Sequence, residues 1–275
     1  MTLLGIALGL LSAVVFGVAA VVQAQAVRGF EETPDGLWGF VVRSVRDGRT
    51  MVVVAAYLVG FVLHAAAIWL LPLYLAQAMV AMSLPVTAIA SRRVEDDLHP
   101  SGWAAVGLVT LGLVLLSLGA GEPGDVVTDA TFAVSLWAGV AALAVASATI
   151  RHLPGPVLGL LAGLGYAGSA ISVRGIGTPV DGVVVVAAVA VPSFSLVAFW
   201  LYSLGMHRAA VPSTTASLIV AQTFVPAAVG VALLGDGVRD GWWPGVVVGF
   251  ALATGGAAAL GASRTPSAPD RRFGT

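Results

Sequence analysis

LLGIALGLLSAVVFGVAAVVQAQAV, from Leu3 to Val27, contains no charged side chain. A helix needs about 20 mostly apolar residues to cross a bilayer, and this stretch is long enough. A cleavable signal peptide has a basic leader and a short apolar core. This segment has neither, and it reads as a retained first span.

The rest of the chain follows the same pattern. Its 275 residues are 58% hydrophobic and 10% charged. A soluble domain carries about 25% charged residues, and here the deficit extends over nearly the whole length. There is no Cys and no Lys. Disulfides, thiolate metal sites and Cys nucleophiles are excluded, as is any mechanism that needs a lysine amine. All 13 basic residues are Arg. With the abundant Ala, Val and Gly, this usage points to a GC-rich bacterial genome. A net charge of −1 implies no nucleic-acid-binding surface. No phosphate-cradling loop, metalloprotease helix or nucleophile elbow is present, so neither ATP-driven work nor an enzyme is expected. No cofactor and no metal site are expected.

Nine stretches read as spans: 3–27, 50–70, 73–91, 102–120, 131–150, 156–173, 182–205, 211–234 and 242–261. LWGFVVRSV, residues 37–45, is too short to cross. It reads as an interfacial helix, with Trp38 and Phe40 among the headgroups and Arg43, Arg46 and Arg49 toward anionic lipid. The arginines test the count independently. Eleven fall in the loops 28–49, 92–101, 151–155 and 206–210 and in the tail, and only Arg174 and Arg239 fall on the other side. Positive residues stay inside, which predicts an outer N-terminus and a cytoplasmic C-terminus in a bacterial plasma membrane.

Two halves of the chain are alike. GLLSAVVFG (Gly9 to Gly17) aligns with GLLAGLGYA (Gly159 to Ala167). Ala67-x-Trp69-Leu70 aligns with Ala198-x-Trp200-Leu201, Pro72 with Pro212, and Gly102-Trp103 with Gly241-Trp242. The expected fold is an all-α membrane helix bundle of about nine spans, arranged as an inverted 4+1+4 repeat. Residues 1–120 form the first repeat, 131–150 a lone span and 156–261 the second repeat, with 262–275 as a disordered cytoplasmic tail. An odd number of crossings between the copies turns the second upside down. Inverted repeats build alternating-access transporters, with the substrate near the midplane where they meet.

These features resemble the drug/metabolite transporter superfamily of EamA-like proteins. The acid that closes a helix in that repeat corresponds to Glu95 in RRVEDD and Asp236 in LLGDG. The Gly-rich last helices correspond to GWAAVGLVTLGLVLLSLG and GWWPGVVVGFALATGGAAALG. The span pattern, GLGYAGSAISVRGIG and AAIWLLPLYLAQAMVAMSLPVTAI are similar to the NIPA-type magnesium transporter branch. The resemblance implies transport of a small solute or, on the NIPA-like side, a divalent cation.

Ionisable groups within a span are costly and mark function by default. His64 is the only one well inside a span, able to bind substrate or relay a proton near neutral pH. At the offset of the Trp motif its counterpart is Ser195. Gln77 and Ser83 on the third span, Tyr166 and Ser169 on the sixth, and Thr215 and Gln222 on the eighth complete the candidate cavity. The other reading of such residues is hydrogen bonding between helices, which also covers Gln23 and Gln25. Pro85, Pro192 and Pro226 each remove a helical hydrogen bond. Trp69 and Trp200, near span ends, read as interfacial anchors. Glu95, Asp96, Asp97 and His99 read as a solvated loop beside Arg92 and Arg93 rather than a metal site.

The composition and repeat favour a secondary transporter or exporter of a small solute or metabolite. A divalent-cation transporter is one alternative, and a non-transporting scaffold or lipid-acting enzyme is another. The expected partners are the lipid bilayer and a small-molecule or ion substrate, with a homodimer as an open possibility.

Overall fold

The computed structural model describes residues 2–28, 36–71, 73–92, 98–119, 121, 128–150, 152–176, 179–235 and 237–262. Among these residues helices are the only extended elements, joined by short turns. Its helices are α1 (Thr2–Arg28), α2 (Gly36–Arg46), α3 (Gly48–Leu70), α4 (Leu73–Ala81), α5 (Ser83–Ser91) and α6 (Pro100–Leu118). They continue with α7 (Ala130–Ile150), α8 (Gly155–Arg174), α9 (Gly182–Arg208), α10 (Val211–Leu233) and α11 (Trp243–Ala262). Glu95, Asp96, Asp97, Asp236, Pro72 and the tail beyond Ala262 lie outside the described residues.

Among the described residues seven helices are long and apolar enough to cross a membrane: α1, α3, α6, α7, α8, α9 and α10. Of the other two expected stretches, 73–91 is divided between α4 and α5, and 242–261 holds α11. Outward-facing side chains are apolar, among them Leu3, Val52, Val62, Val134, Val145 and Val247. So large an exposed apolar surface belongs in lipid, and the chain is a multi-pass membrane helix bundle.

Local chemistry sets the helix boundaries. Asp47 caps α3, its carboxylate accepting from Thr50 N at 2.8 Å and Thr50 Oγ1 at 2.6 Å. Those bonds hold its carboxyl below the usual carboxylate range. Asp181 caps α9 in the same way, accepting from Val183 N and Val184 N at 2.9 Å each. The stretch 73–91 is not one helix. Pro85 cannot donate to the Ala81 carbonyl and its ring crowds that group. The chain turns at Met82, whose N–H donates to Met79 O at 3.1 Å. Pro192 and Pro226, by contrast, sit inside continuous helices.

Small residues bring the helices together. α1 packs chiefly on α3 and then on α5 and α4, and α8 chiefly on α9 and α10. A Cβ on Gly9 would come within 2.7 Å of Met79 Cβ on α4, and one on Gly159 would strike the Thr214 carbonyl of α10. Gly5 meets Leu71, the residue that closes α3, and Gly155 meets Ala209, the residue that closes α9. α6 and α11 run antiparallel, with Gly119 against Trp242, Gly112 against Gly249 and Ala105 against Gly256. α1 and α8 are also antiparallel. The C-terminal part of α1, at Gln23, and the N-terminus of α8, at Gly155, both meet the last turns of α9, at Ser203 and Gly205. α7 rests on α9 and α8.

Three expectations change. Trp69 is exposed and can serve as an anchor, but Trp200 is buried in the core. Leu70 ends α3, whereas Leu201 lies about two turns before the end of α9 at Arg208. The two Trp motifs therefore occupy different heights in their helices. The third change is the break at Met82 described above. Segment 37–45 does form a separate helix, α2, with Phe40 and Ser44 buried and Trp38, Val45, Arg43 and Arg46 exposed.

Candidate functional site

Side chains from seven helices build one cavity. On α3 the inward positions are Val54, Tyr57, Phe61, His64 and Ile68, each three or four residues from the next. Pro192, Ser195, Phe199 and Tyr202 continue the wall along α9. Tyr166 and Ser169 extend it on α8, and Thr215, Leu218 and Gln222 on α10. Gln77 enters from α4 and Ser83 and Thr87 from α5, on either side of the break at Met82. α1 closes the remaining side with Phe16 and Ala20. The cavity has a volume of about 580 Å³, within the range of about 300–1,000 Å³ common for small-molecule pockets.

All seven residues picked from the sequence, His64, Gln77, Ser83, Tyr166, Ser169, Thr215 and Gln222, line this space. Among the described residues that line it none is Asp, Glu, Arg or Lys. Its chemistry is amide, hydroxyl, imidazole and aromatic ring.

Two polar pairs tie helices together across the cavity. His64 Nε2 lies 3.4 Å from Gln77 Nε2, joining α3 to α4. Tyr202 Oη lies 2.5 Å from Thr215 Oγ1, joining α9 to α10. In both pairs the partners are thirteen residues apart. The first pair is incomplete, since His64 Nδ1 and Gln77 Oε1 are buried with no partner among the described residues. Ser169 and Ser195 face one another at 3.1 Å, joining α8 to α9.

An aromatic and amide network lies at the side of the cavity. Tyr57 Oη donates to Gln23 Oε1 at 2.7 Å, and Gln23 Nε2 donates to Ser203 Oγ at 2.6 Å. This line of contacts spans α3, α1 and α9. Tyr57 stacks on Phe16 with ring centroids 5.8 Å apart and meets Phe199 edge-on at 5.7 Å. Phe199 in turn touches Phe40 at 5.7 Å, so α2 abuts the cavity wall.

From the sequence Gln23 is one polar residue among several, and nothing there singles out Tyr202. The signal for Gln23 was its place in the apolar stretch 3–27. Its bonding partner is 180 positions away, a distance that no local pattern reaches. His99 is an exposed helix cap bonded to Ser101, apart from the cavity. Among the described residues no three His, Asp or Glu side chains come together. No protein-family model matches the chain, and comparison with curated proteins and with solved structures gives no match.

Proposed function

We propose that the chain is a secondary transporter that moves a small solute across a bacterial plasma membrane by alternating access. The observation that carries this reading is the uncharged, polar-and-aromatic cavity walled by helices from both halves of the chain. A site near the midplane between inverted halves is the arrangement that alternating access requires.

In this reading the helices form nine spans, with α4 and α5 together making the third and α11 the ninth. The first and last four are inverted copies around the lone span α7, as in the drug/metabolite transporter superfamily. Several observations support the repeat. The antiparallel course of α1 and α8 and of α6 and α11 is one. The Asp caps of α3 and α9, the Gly5 and Gly155 contacts and the two thirteen-residue pairs are others. On this register the counterpart of His64 is Tyr202, not Ser195. The arginine distribution favours an outer N-terminus and a cytoplasmic C-terminus.

The lining favours an organic solute over a divalent cation. Mg²⁺ sites draw on carboxylates, and none of the described residues that line the cavity carries one. The test is uptake into proteoliposomes over a broad panel of uncharged, zwitterionic and ionic solutes. At least one solute should enter faster than into protein-free liposomes and show counterflow. Rates equal to those of empty liposomes across the panel would overturn the proposal, and selective Mg²⁺ flux would move it to the cation reading.

A further inference from the structure

We propose that the cavity takes its solute sideways from the bilayer, through a mouth between α3 and α9 framed by Leu58, Pro192 and Leu196, and that this solute is uncharged and lipid-soluble. The inference rests on reading the cavity as the solute path and adds the route of entry and the class of solute.

Three side chains belong to two surfaces at once. Leu58, Pro192 and Leu196 line the cavity, yet all three are exposed, Leu58 at 60% and Leu196 at 44%. Leu58 stands one turn from Val62 on α3, and Pro192 and Leu196 continue the exposed row of Val185 and Val189 on α9. Those valines belong to the apolar surface that faces lipid, and they do not line the cavity. The two outward rows therefore meet the cavity at its rim. α3 packs chiefly on α1 and α9 chiefly on α8, and no extended packing joins α3 to α9. The cavity opens in the gap that this leaves.

The height of the mouth decides which phase it meets. Leu58 lies midway along α3 and Leu196 midway along α9, two helices long and apolar enough to span a bilayer. The middle of such a helix lies in hydrocarbon rather than among headgroups. On the α2 side of the mouth Tyr57 stacks on Phe16 and meets Phe199 edge-on, and Phe199 touches Phe40 of α2. Toward the other end of α3, buried Ile68, Val173 and Val191 belong to one apolar cluster. A charged solute would have to cross hydrocarbon to reach the mouth. Inside, it would be desolvated without a counter-charge, because none of the described lining residues is Asp, Glu, Arg or Lys. An uncharged solute meets neither cost. The rings of Phe16, Phe61 and Phe199 suit an apolar or aromatic body, and about 580 Å³ holds one drug-sized molecule.

The experiment uses the purified full chain in nanodiscs that carry a phosphatidylcholine with a phenyldiazirine at the end of one acyl chain. This probe cannot leave the bilayer, so it reaches the cavity only from the side. Ser169 and Leu218, on the α8 and α10 walls, are buried from the outer surface and line the cavity. After photolysis, peptide mass spectrometry should find label at these two residues as well as on the outward valines. Leu58→Trp/Leu196→Trp narrows the mouth around the tether. It should cut wall labelling at least about fivefold, the size of a steric overpacking penalty, and leave labelling of the exposed Val134 and Val247 unchanged. If that variant does not fold, Leu58→Ala/Leu196→Ala widens the mouth and should raise wall labelling. Free benzyl alcohol should compete for the walls, and benzoate, of similar size but charged, should not. Unlabelled walls, wall labelling that the mouth variants do not change, no competition by benzyl alcohol, or equal competition by benzoate would overturn the inference. Wall labelling that depends on the mouth, without solute flux in proteoliposomes, would leave this inference in place and remove the transport reading.

Discussion

Replacing Gln23 with Leu removes an amide that is 1% exposed and bonded at both ends, by Tyr57 Oη at 2.7 Å and to Ser203 Oγ at 2.6 Å. Hydrogen bonds between membrane helices contribute about 0.6 kcal/mol each on average, so losing two costs about 1.2 kcal/mol. The stranded groups differ. Ser203 Oγ keeps its bond to Phe199 O at 2.8 Å, whereas the Tyr57 hydroxyl loses the acceptor to which it donates. An orphaned buried hydroxyl adds about 1–3 kcal/mol, giving a total of about 2–4 kcal/mol for Gln23→Leu. Tyr57→Phe alone strands Gln23 Oε1 and is also destabilising. In the double variant neither orphan remains, so it should be more stable than the sum of the single changes by about 1–3 kcal/mol. Unfolding by SDS in mixed micelles, followed by circular dichroism, measures the cycle. Strictly additive losses would refute the bridge from α1 to α3 and α9.

Gly112→Ala should destabilise by about 1–3 kcal/mol, as overpacking does, because its Cβ would lie 2.5 Å from the Gly249 carbonyl. Gly107→Ala, on the same helix with nothing within 4 Å, should be neutral or stabilise by about 0.5–1 kcal/mol; thermal melts of the two variants check the contrast. Asp47→Ala should cost roughly 1 kcal/mol at neutral pH as a lost helix cap. The Asp47 carboxyl is lowered in the fold by its Thr50 bonds, so its contribution is present above the unfolded value of about 3.9 and is lost as pH falls through the folded value. The stability gap between wild type and Asp47→Ala, followed from pH 7 downward, should therefore close at acid pH.

The sequence made the crossing helices and much of the cavity legible, for one physical reason. In lipid-facing helices polar side chains are rare, so those that occur point inward. His64, Gln77 and Gln222 stood out on that ground and line one cavity. Trp200 was misread because proximity to a span end does not say which face a side chain occupies, and it faces the core. The Trp motifs suggested Ser195 as the counterpart of His64. In the proposed repeat, aligning the ends of α3 and α9 at Leu71 and Ala209 would pair it with Tyr202 instead. Pro85 announced a disturbed helix, but whether a proline bends or breaks its helix depends on packing. Pro192 and Pro226 leave theirs continuous. The amide bridge through Gln23 depends on contacts across 180 positions, which periodicity does not encode.

Alternating access through the shared cavity is the central claim, and the chain is convenient for testing it because it contains no Cys. Ser195 lies in the middle of α9 and lines the cavity, and Ser195→Cys is nearly isosteric. The measurement is the rate at which a membrane-impermeant maleimide labels this single thiol in right-side-out and in inverted vesicles. The proposal predicts labelling from both faces, slowed by whichever solute the proteoliposome panel shows to be carried. Labelling from one face only, at a rate that such a solute does not change, would contradict it.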